Sequence, residues 1–109
     1  IVQPQKFEAV LNSLKRIEVT RMTVCDAQGI GQQSGESEPQ EGQEITTDLR
    51  PKIVFEIVVN DDFLERTIET IVSVARIGSK GQINDGKIFV VPALDTIEVR
   101  NQSRGPGSV

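Results

Sequence analysis

Apolar residues recur at three- and four-residue intervals between positions 5 and 17, where Phe7, Val10, Leu11, Leu14 and Ile17 share one face of a predicted helix. Pro4 suits the start of that helix, because the first helical turn has no use for the amide hydrogen that proline lacks. The next run, from Val19 to Cys25, alternates and is rich in β-branched residues, which predicts a strand. A continuous apolar run at 53–59, interrupted only by Glu56, predicts a central strand. Asp61 and Asp62 then offer carboxylates to the N-terminus of a second helix, with Leu64, Ile68, Ile71, Val72 and Ala75 on its inner face and Gly78 as its stop. Residues 88–91 and 96–99 read as short strands on either side of Pro92.

Between these elements the pattern collapses twice. From 29 to 48 the chain is built of Gly, Gln, Ser and Glu, with Ile30 and Ile45 as the only apolar side chains, so it cannot form a core of its own and reads as a long loop. Loops of that length inside a small domain are either functional or disordered. The second break, 79–87, carries Gly81 and Gly86. The tail 101–109 is expected to stay mobile unless it docks. The order strand, helix, strand, long loop, strand, helix, strand is the α+β, ferredoxin-like βαββαβ arrangement, in one domain spanning 1–100. With both helices on one face and strands apolar on both, the second face needs cover, which points to oligomerisation.

Composition narrows the function. With 109 residues the chain supports one modest core, and with no Trp or Tyr and only four Phe that core must be Val, Ile and Leu. Sixteen acidic against twelve basic residues give a net charge of -4, with no Lys or Arg run to track a nucleic-acid backbone. The absence of His removes the commonest metal ligand, and the single cysteine, Cys25, cannot close an intramolecular disulfide. No apolar stretch approaches membrane-spanning length and no signal sequence opens the chain, which leads to the expectation of a cytoplasmic protein. A chain opening at Ile1 raises the expectation that the start of a strand lies outside this numbering.

Candidate chemistry is sparse. Residues 81–87 have the spacing of a P-loop, but Ile88 stands where Ser or Thr would bind magnesium, and a strand follows where a helix N-terminus is required. What remains is either a hairpin-type turn or a glycine nest that presents Lys87 to phosphate. Gly29-Ile30-Gly31 is only a fragment of a dinucleotide fingerprint, and Asn101-Gln102-Ser103 matches a glycosylation acceptor by chance. Cys25 lacks an activating base, and no acid and base pair can be nominated. No catalytic constellation is present, so the chain is not expected to be an enzyme.

Taken together, the segments resemble the PII signal-transduction family over nearly the whole chain. Val19-Thr20-Arg21-Met22-Thr23-Val24 is similar to that family's Val-Thr-Gly-Met-Thr-Val strand, and Asp85-Gly86-Lys87-Ile88-Phe89-Val90 matches its Gly-Asp-Gly-Lys-Ile-Phe-Val signature after the first position. The resemblance implies a homotrimer that binds ATP, ADP or AMP in clefts between subunits. It also implies a protruding T-loop, here about 31–49, that controls a target protein. The nucleotide site it implies comprises Gly29, Gly31, Gln33, Asp85, Gly86, Lys87 and Arg100. Gln33 and Lys52 would meet 2-oxoglutarate, and Gln33 would hold Mg2+ when ATP and 2-oxoglutarate are both bound. Glu98 departs from the family's terminal arginine pair, Gln32 from an arginine, Arg21 from a glycine and Asn84 from the first signature glycine. About three residues are inserted between Gly78 and Asn84. These changes predict that AMP or ADP gains relative to ATP. Ile45 and Gln43 stand at the usual modification positions, where neither modification can occur, and Glu36, Glu38, Glu41 and Glu44 make the loop acidic. Two alternatives remain: a divergent relative that senses bicarbonate together with ADP or AMP, and a structural trimer whose nucleotide site is lost.

Overall fold

The computed structural model describes residues 1–30 and 48–109. Gly31, Gln32, Gln33, Glu36, Glu38, Glu41, Gln43, Glu44 and Ile45 lie outside the described residues, and with them most of the expected T-loop. The elements run from a short 3-10 turn, Pro4–Lys6, into α1 (Phe7–Arg16), then β1 (Met22–Ile30), β2 (Leu49–Ile57) and α2 (Asp61–Ala75).

Helix α1 follows its predicted stripe. Val10 and Leu14 are fully buried, Phe7 and Ile17 pack beside them, and Phe7 stacks on Phe55 with ring centroids 5.9 Å apart. Its end is a Schellman motif: the Val19 amide donates to Leu14 O and the Glu18 amide to Lys15 O, both at 3.0 Å. Buried Val19 covers Leu14's end of the helix rather than opening a strand. The motif needs a left-handed residue, and Glu18 supplies it at φ 67 although its Cβ is crowded there. Glu18→Gly should therefore stabilise the fold by about 0.5–1 kcal/mol, read as a higher urea midpoint with an unchanged slope.

Both strands are displaced from their predicted ranges. β1 and β2 pair antiparallel from Met22↔Ile57 to Ile30↔Leu49, so the ladder reaches into residues whose composition reads as loop. Leu49, expected as the last T-loop residue, is the first residue of β2. Residues directly opposed across an antiparallel ladder share a face. The face of buried Ile53 and half-buried Phe55 and Ile57 thus also carries Met22, Val24 and Asp26, and it packs on the helices. The other face presents Thr23, Cys25, Ala27 and Gly29 against Arg50, Lys52, Val54 and Glu56. It is largely small and polar, which corrects the expectation of strands apolar on both sides.

Helix α2 begins at Asp61, but its N-cap is Asn60, which makes no side-chain cap hydrogen bond, so Asp61 and Asp62 lie in the first turn rather than capping it, and the buried face is rotated. Thr67, Ile71 and Ala75 are buried, with Phe63 and Val74 packed on the core, whereas Val72 is exposed. Thr67 tolerates burial because its hydroxyl donates to Phe63 O at 2.7 Å.

The expected strands 88–91 and 96–99 do not join a sheet among the described residues. Among the described residues the one sheet is β1-β2. Val2 bridges Ile53 on one side and Gly86 on the other, while Ile97 bridges Arg104. Among the described residues, 88–91 make no ladder pairs beyond the neighbouring Val2↔Gly86 bridge. Phe89, Val91 and Val99 are accordingly 72%, 78% and 92% exposed. The expected four-stranded sheet is present as a two-stranded ladder plus single bridges. The tail, for its part, is tied down. Gly105 N–H donates to Thr96 O and Glu98 N–H to Ser103 O, and Arg104 Nε meets Asp95 Oδ2 at 2.7 Å. Asn60 and Arg21 donate to the carbonyls of Pro106 and Val109.

Candidate functional site

The candidate residues fall into three groups. The first grows from the glycines that follow α2. Gly78, Gly81 and Gly86 take φ values of 74°, 73° and 138°, so the loop turns where other residues would be strained. The loop surrounds an open cleft of about 720 Å3 lined by Arg76, Lys80, Gly81, Gln82, Ile83 and Asp85. Asp85 Oδ2 accepts the Gln82 amide at 2.7 Å and the Ile77 amide at 3.1 Å. The Gln82 amide is the main cause holding the Asp85 carboxyl below the ordinary carboxylate value; Ile77 and the cations Lys6 and Arg76 act in the same direction, against a desolvation that raises it.

A depressed folded-state pKa adds stability above the unfolded value of 3.8, and that contribution disappears as pH falls through the lower folded value. The stability difference between the wild type and Asp85→Asn, measured by urea unfolding, is therefore expected to be constant from neutral pH down to about pH 5 and to narrow as pH falls below about 4.

Gly86 and Lys87 leave this loop against the start of the chain. The Lys87 amide donates to Ile1 O at 3.1 Å, and the Gln3 side chain donates to Asn84 O. A Cβ on Gly86 would stand 2.1 Å from Ile1 O, so the close approach requires glycine.

The second group lies across the same N-terminal segment. Val2 exchanges backbone hydrogen bonds with Ile53 at 2.9 and 3.0 Å, and the neighbouring Lys52 lines a cleft of about 370 Å3 with Pro4, Asp26, Ala27, Gln28, Pro51 and Ile53. The ladder sets Ala27 opposite Lys52 and Gly29 opposite Arg50. Gly29 leaves room for the Lys52 stem, whose Cγ would lie 3.3 Å from a Cβ at that position. Residues 1–4 thus stand between Lys52 on one side and Asp85, Gly86 and Lys87 on the other.

Arg100 forms a third, separate group. It sits exposed in the turn of the C-terminal clip, between Glu98, whose carbonyl accepts the Gln102 amide, and Asn101. Among the described residues no hydrogen bond or ion pair joins it to the first two groups. Arg76 and Lys80 were missed by sequence reasoning, although both flank Gly78, Arg76 at the C-cap of α2 and Lys80 in the loop that ends in Lys87. The signal available was a pair of cations beside loop glycines.

Several known proteins are similar to this chain. The family model for Nitrogen regulatory protein P-II matches residues 1–103. Nitrogen regulatory protein GlnK1 of Methanosarcina mazei is 41% identical over 109 residues, covering 100% of this chain and 92% of that protein. Nitrogen regulatory protein P-II of Azospirillum brasilense is 35% identical, over 100% of this chain and 95% of its own length. Among solved structures, Arabidopsis thaliana PII bound to citrate superposes with a TM-score of 0.77 at 34% identity, over 99% of this chain and 85% of that one.

Proposed function

Because the chain belongs to the nitrogen regulatory protein P-II family, whose members are non-catalytic signal transducers, we propose that it binds an adenine nucleotide and controls a target protein through residues 31–49. The observation that carries this reading is the placement of Asp85-Gly86-Lys87. The segment is held against Ile1 and Val2 by backbone hydrogen bonds, at the edge of a polar cleft with Arg76 and Lys80 in its wall. Backbone amides at glycines and a lysine ammonium are fitting donors for phosphate oxygens. Gly29, Gly31, Gln33 and Arg100 complete the proposed nucleotide site.

The assembly is proposed as a homotrimer, in which neighbouring copies cover the exposed apolar residues Phe89, Val91, Leu94 and Val99 and bring Arg100 to a cleft that one chain leaves open. Lys52, with Gln33, is proposed to hold 2-oxoglutarate. An Arabidopsis relative bound to citrate supports a carboxylate ligand in this fold. Mg2+ is proposed to enter with ATP at Gln33. Among the described residues no group of three His, Cys, Asp or Glu is arranged for a metal, and no helix is long and apolar enough to cross a membrane. The proposed compartment is the cytoplasm.

Isothermal titration with ATP, ADP and AMP, each with Mg2+ and then with 2-oxoglutarate or bicarbonate, tests the reading. Binding of ATP that 2-oxoglutarate tightens supports it as stated. Coupling by bicarbonate, or binding of ADP and AMP alone, shifts it to a divergent carbon-linked sensor. Absence of binding by every nucleotide leaves a structural trimer.

A further inference from the structure

We propose that Asp85 is a positioning residue of the nucleotide site: its carboxylate braces the loop between α2 and Gly86, and so sets where Gly86 and Lys87 meet phosphate, without touching the ligand itself. The proposal rests on the nucleotide-binding reading above, and it gives Asp85 a different part from the direct contact implied by the family signature. Oδ2 already accepts two backbone amides, Ile77 at 3.1 Å and Gln82 at 2.7 Å. Oδ1 is closed off from solvent and, among the described residues, has no hydrogen-bond partner. Neither oxygen is therefore open to a donor on a ligand that enters the cleft.

The brace joins points that the chain alone would leave loose. Ile77 directly follows Arg76, the C-cap of α2, and Gln82 lies beyond Gly78 and Gly81, two residues in left-handed conformation. Such glycines give a loop many accessible conformations. A single carboxylate oxygen bonded to both sides of them selects one conformation, and the Asp85 amide reinforces it by donating to Gln82 O at 3.1 Å. The fit is close, since a Cβ at Gly81 would stand 3.1 Å from Asp85 Oδ2 and 3.3 Å from Arg76 Cγ. On the other side of Asp85, Gly86 bridges Val2 and the Lys87 amide bonds Ile1 O. Gly86 and Lys87 are thus held between the brace and the ladder.

A loop ordered before the ligand arrives avoids the entropy of ordering it on binding, and that gain disappears with the brace. The charges around Asp85 agree with this part: Lys6 and Arg76 act on it electrostatically, and Lys80 lines the same cleft. Lys6 and Arg76 add to the larger effect of the Gln82 amide in favouring the ionised carboxylate, and Arg76 and Lys80 leave the cleft wall with a surplus of positive charge for phosphate.

The test compares the wild-type chain with Asp85→Ala and Asp85→Asn by calorimetric titration with ADP, by amide exchange at Ile77 and Gln82, and by thermal melting. Asp85→Ala is expected to weaken ADP about tenfold and to speed exchange at those two amides while the β1-β2 amides stay protected. Asp85→Asn keeps an acceptor oxygen, so it should remain within about threefold of wild type. If Asp85→Ala does not fold, the Asn variant decides: near-wild-type affinity with protected amides supports the brace, and a tenfold loss with protected amides overturns it. Wild-type affinity in Asp85→Ala with the two amides exchanging freely also overturns the brace and leaves nucleotide binding intact. Failure of the wild type to bind ADP, AMP or ATP overturns the nucleotide reading and this inference together.

Discussion

Gly86→Ala is expected to destabilise the protein by about 2–4 kcal/mol, one of the largest effects available to a single methyl group here. Two causes act together. At φ 138° the backbone lies where L side chains are strained, and the new Cβ would fall 2.1 Å from Ile1 O. Because the obstructing atom is backbone carbonyl rather than the end of a flexible side chain, relief requires the first residues to move. That movement breaks the Lys87 amide bond to Ile1 O and the Val2 bridges to Gly86 and Ile53, and so loosens buried Val2 from the core. Urea unfolding reads the loss directly. Amide exchange at Ile53, whose hydrogen is held by Val2 O, locates it. An unchanged urea midpoint would mean that residues 1–2 dock without contributing stability.

Lys87→Ala is expected to weaken nucleotide binding by about tenfold to a hundredfold with little change in melting temperature. The separation follows from the position: the side chain is exposed and, among the described residues, makes no ion pair, so the native fold loses little by its removal. Its backbone amide, which bonds Ile1 O, remains in the variant. A ligand phosphate, in contrast, would lose a charge-assisted hydrogen bond. Titration with ADP beside a melting curve separates the two effects. Unaltered affinity would remove Lys87 from the proposed site and direct attention to Arg76 and Lys80 in the cleft wall.

Much of this architecture is legible in the residues. The spacing of Phe7, Val10, Leu14 and Ile17 specifies both the helix and its inward face, and the acidic pair Asp61 and Asp62 marks the first turn of α2, although the capping position is Asn60. The stripe of α2 is less legible. Thr67 is polar by type and counts as outward until its hydroxyl is seen to satisfy itself on Phe63 O, and Val72 is apolar yet faces solvent. Gln28, Gly29 and Arg50 have poor strand character, but ladder pairing with a partner strand outweighs the preference of each residue alone. The short strand signal at 88–91 fails for the opposite reason, since β-branched composition forms no ladder without a partner edge.

The site divides in the same way. Gly86 and Lys87 are recognisable from a six-residue run, because a close backbone approach and a cation are properties of residue types in order. The role of Asp85 is not recognisable there, since a carboxylate that accepts amides from Ile77 and Gln82 depends on how the loop folds back on α2. By itself the sequence determined the family and the two helices, because each rests on local periodicity or a contiguous motif. Only the tertiary structure decided the strand ends, the face of α2 that is buried, and the meeting of Val2 with both Ile53 and Gly86. Those depend on contacts between residues far apart in the chain, whose positions no local pattern encodes.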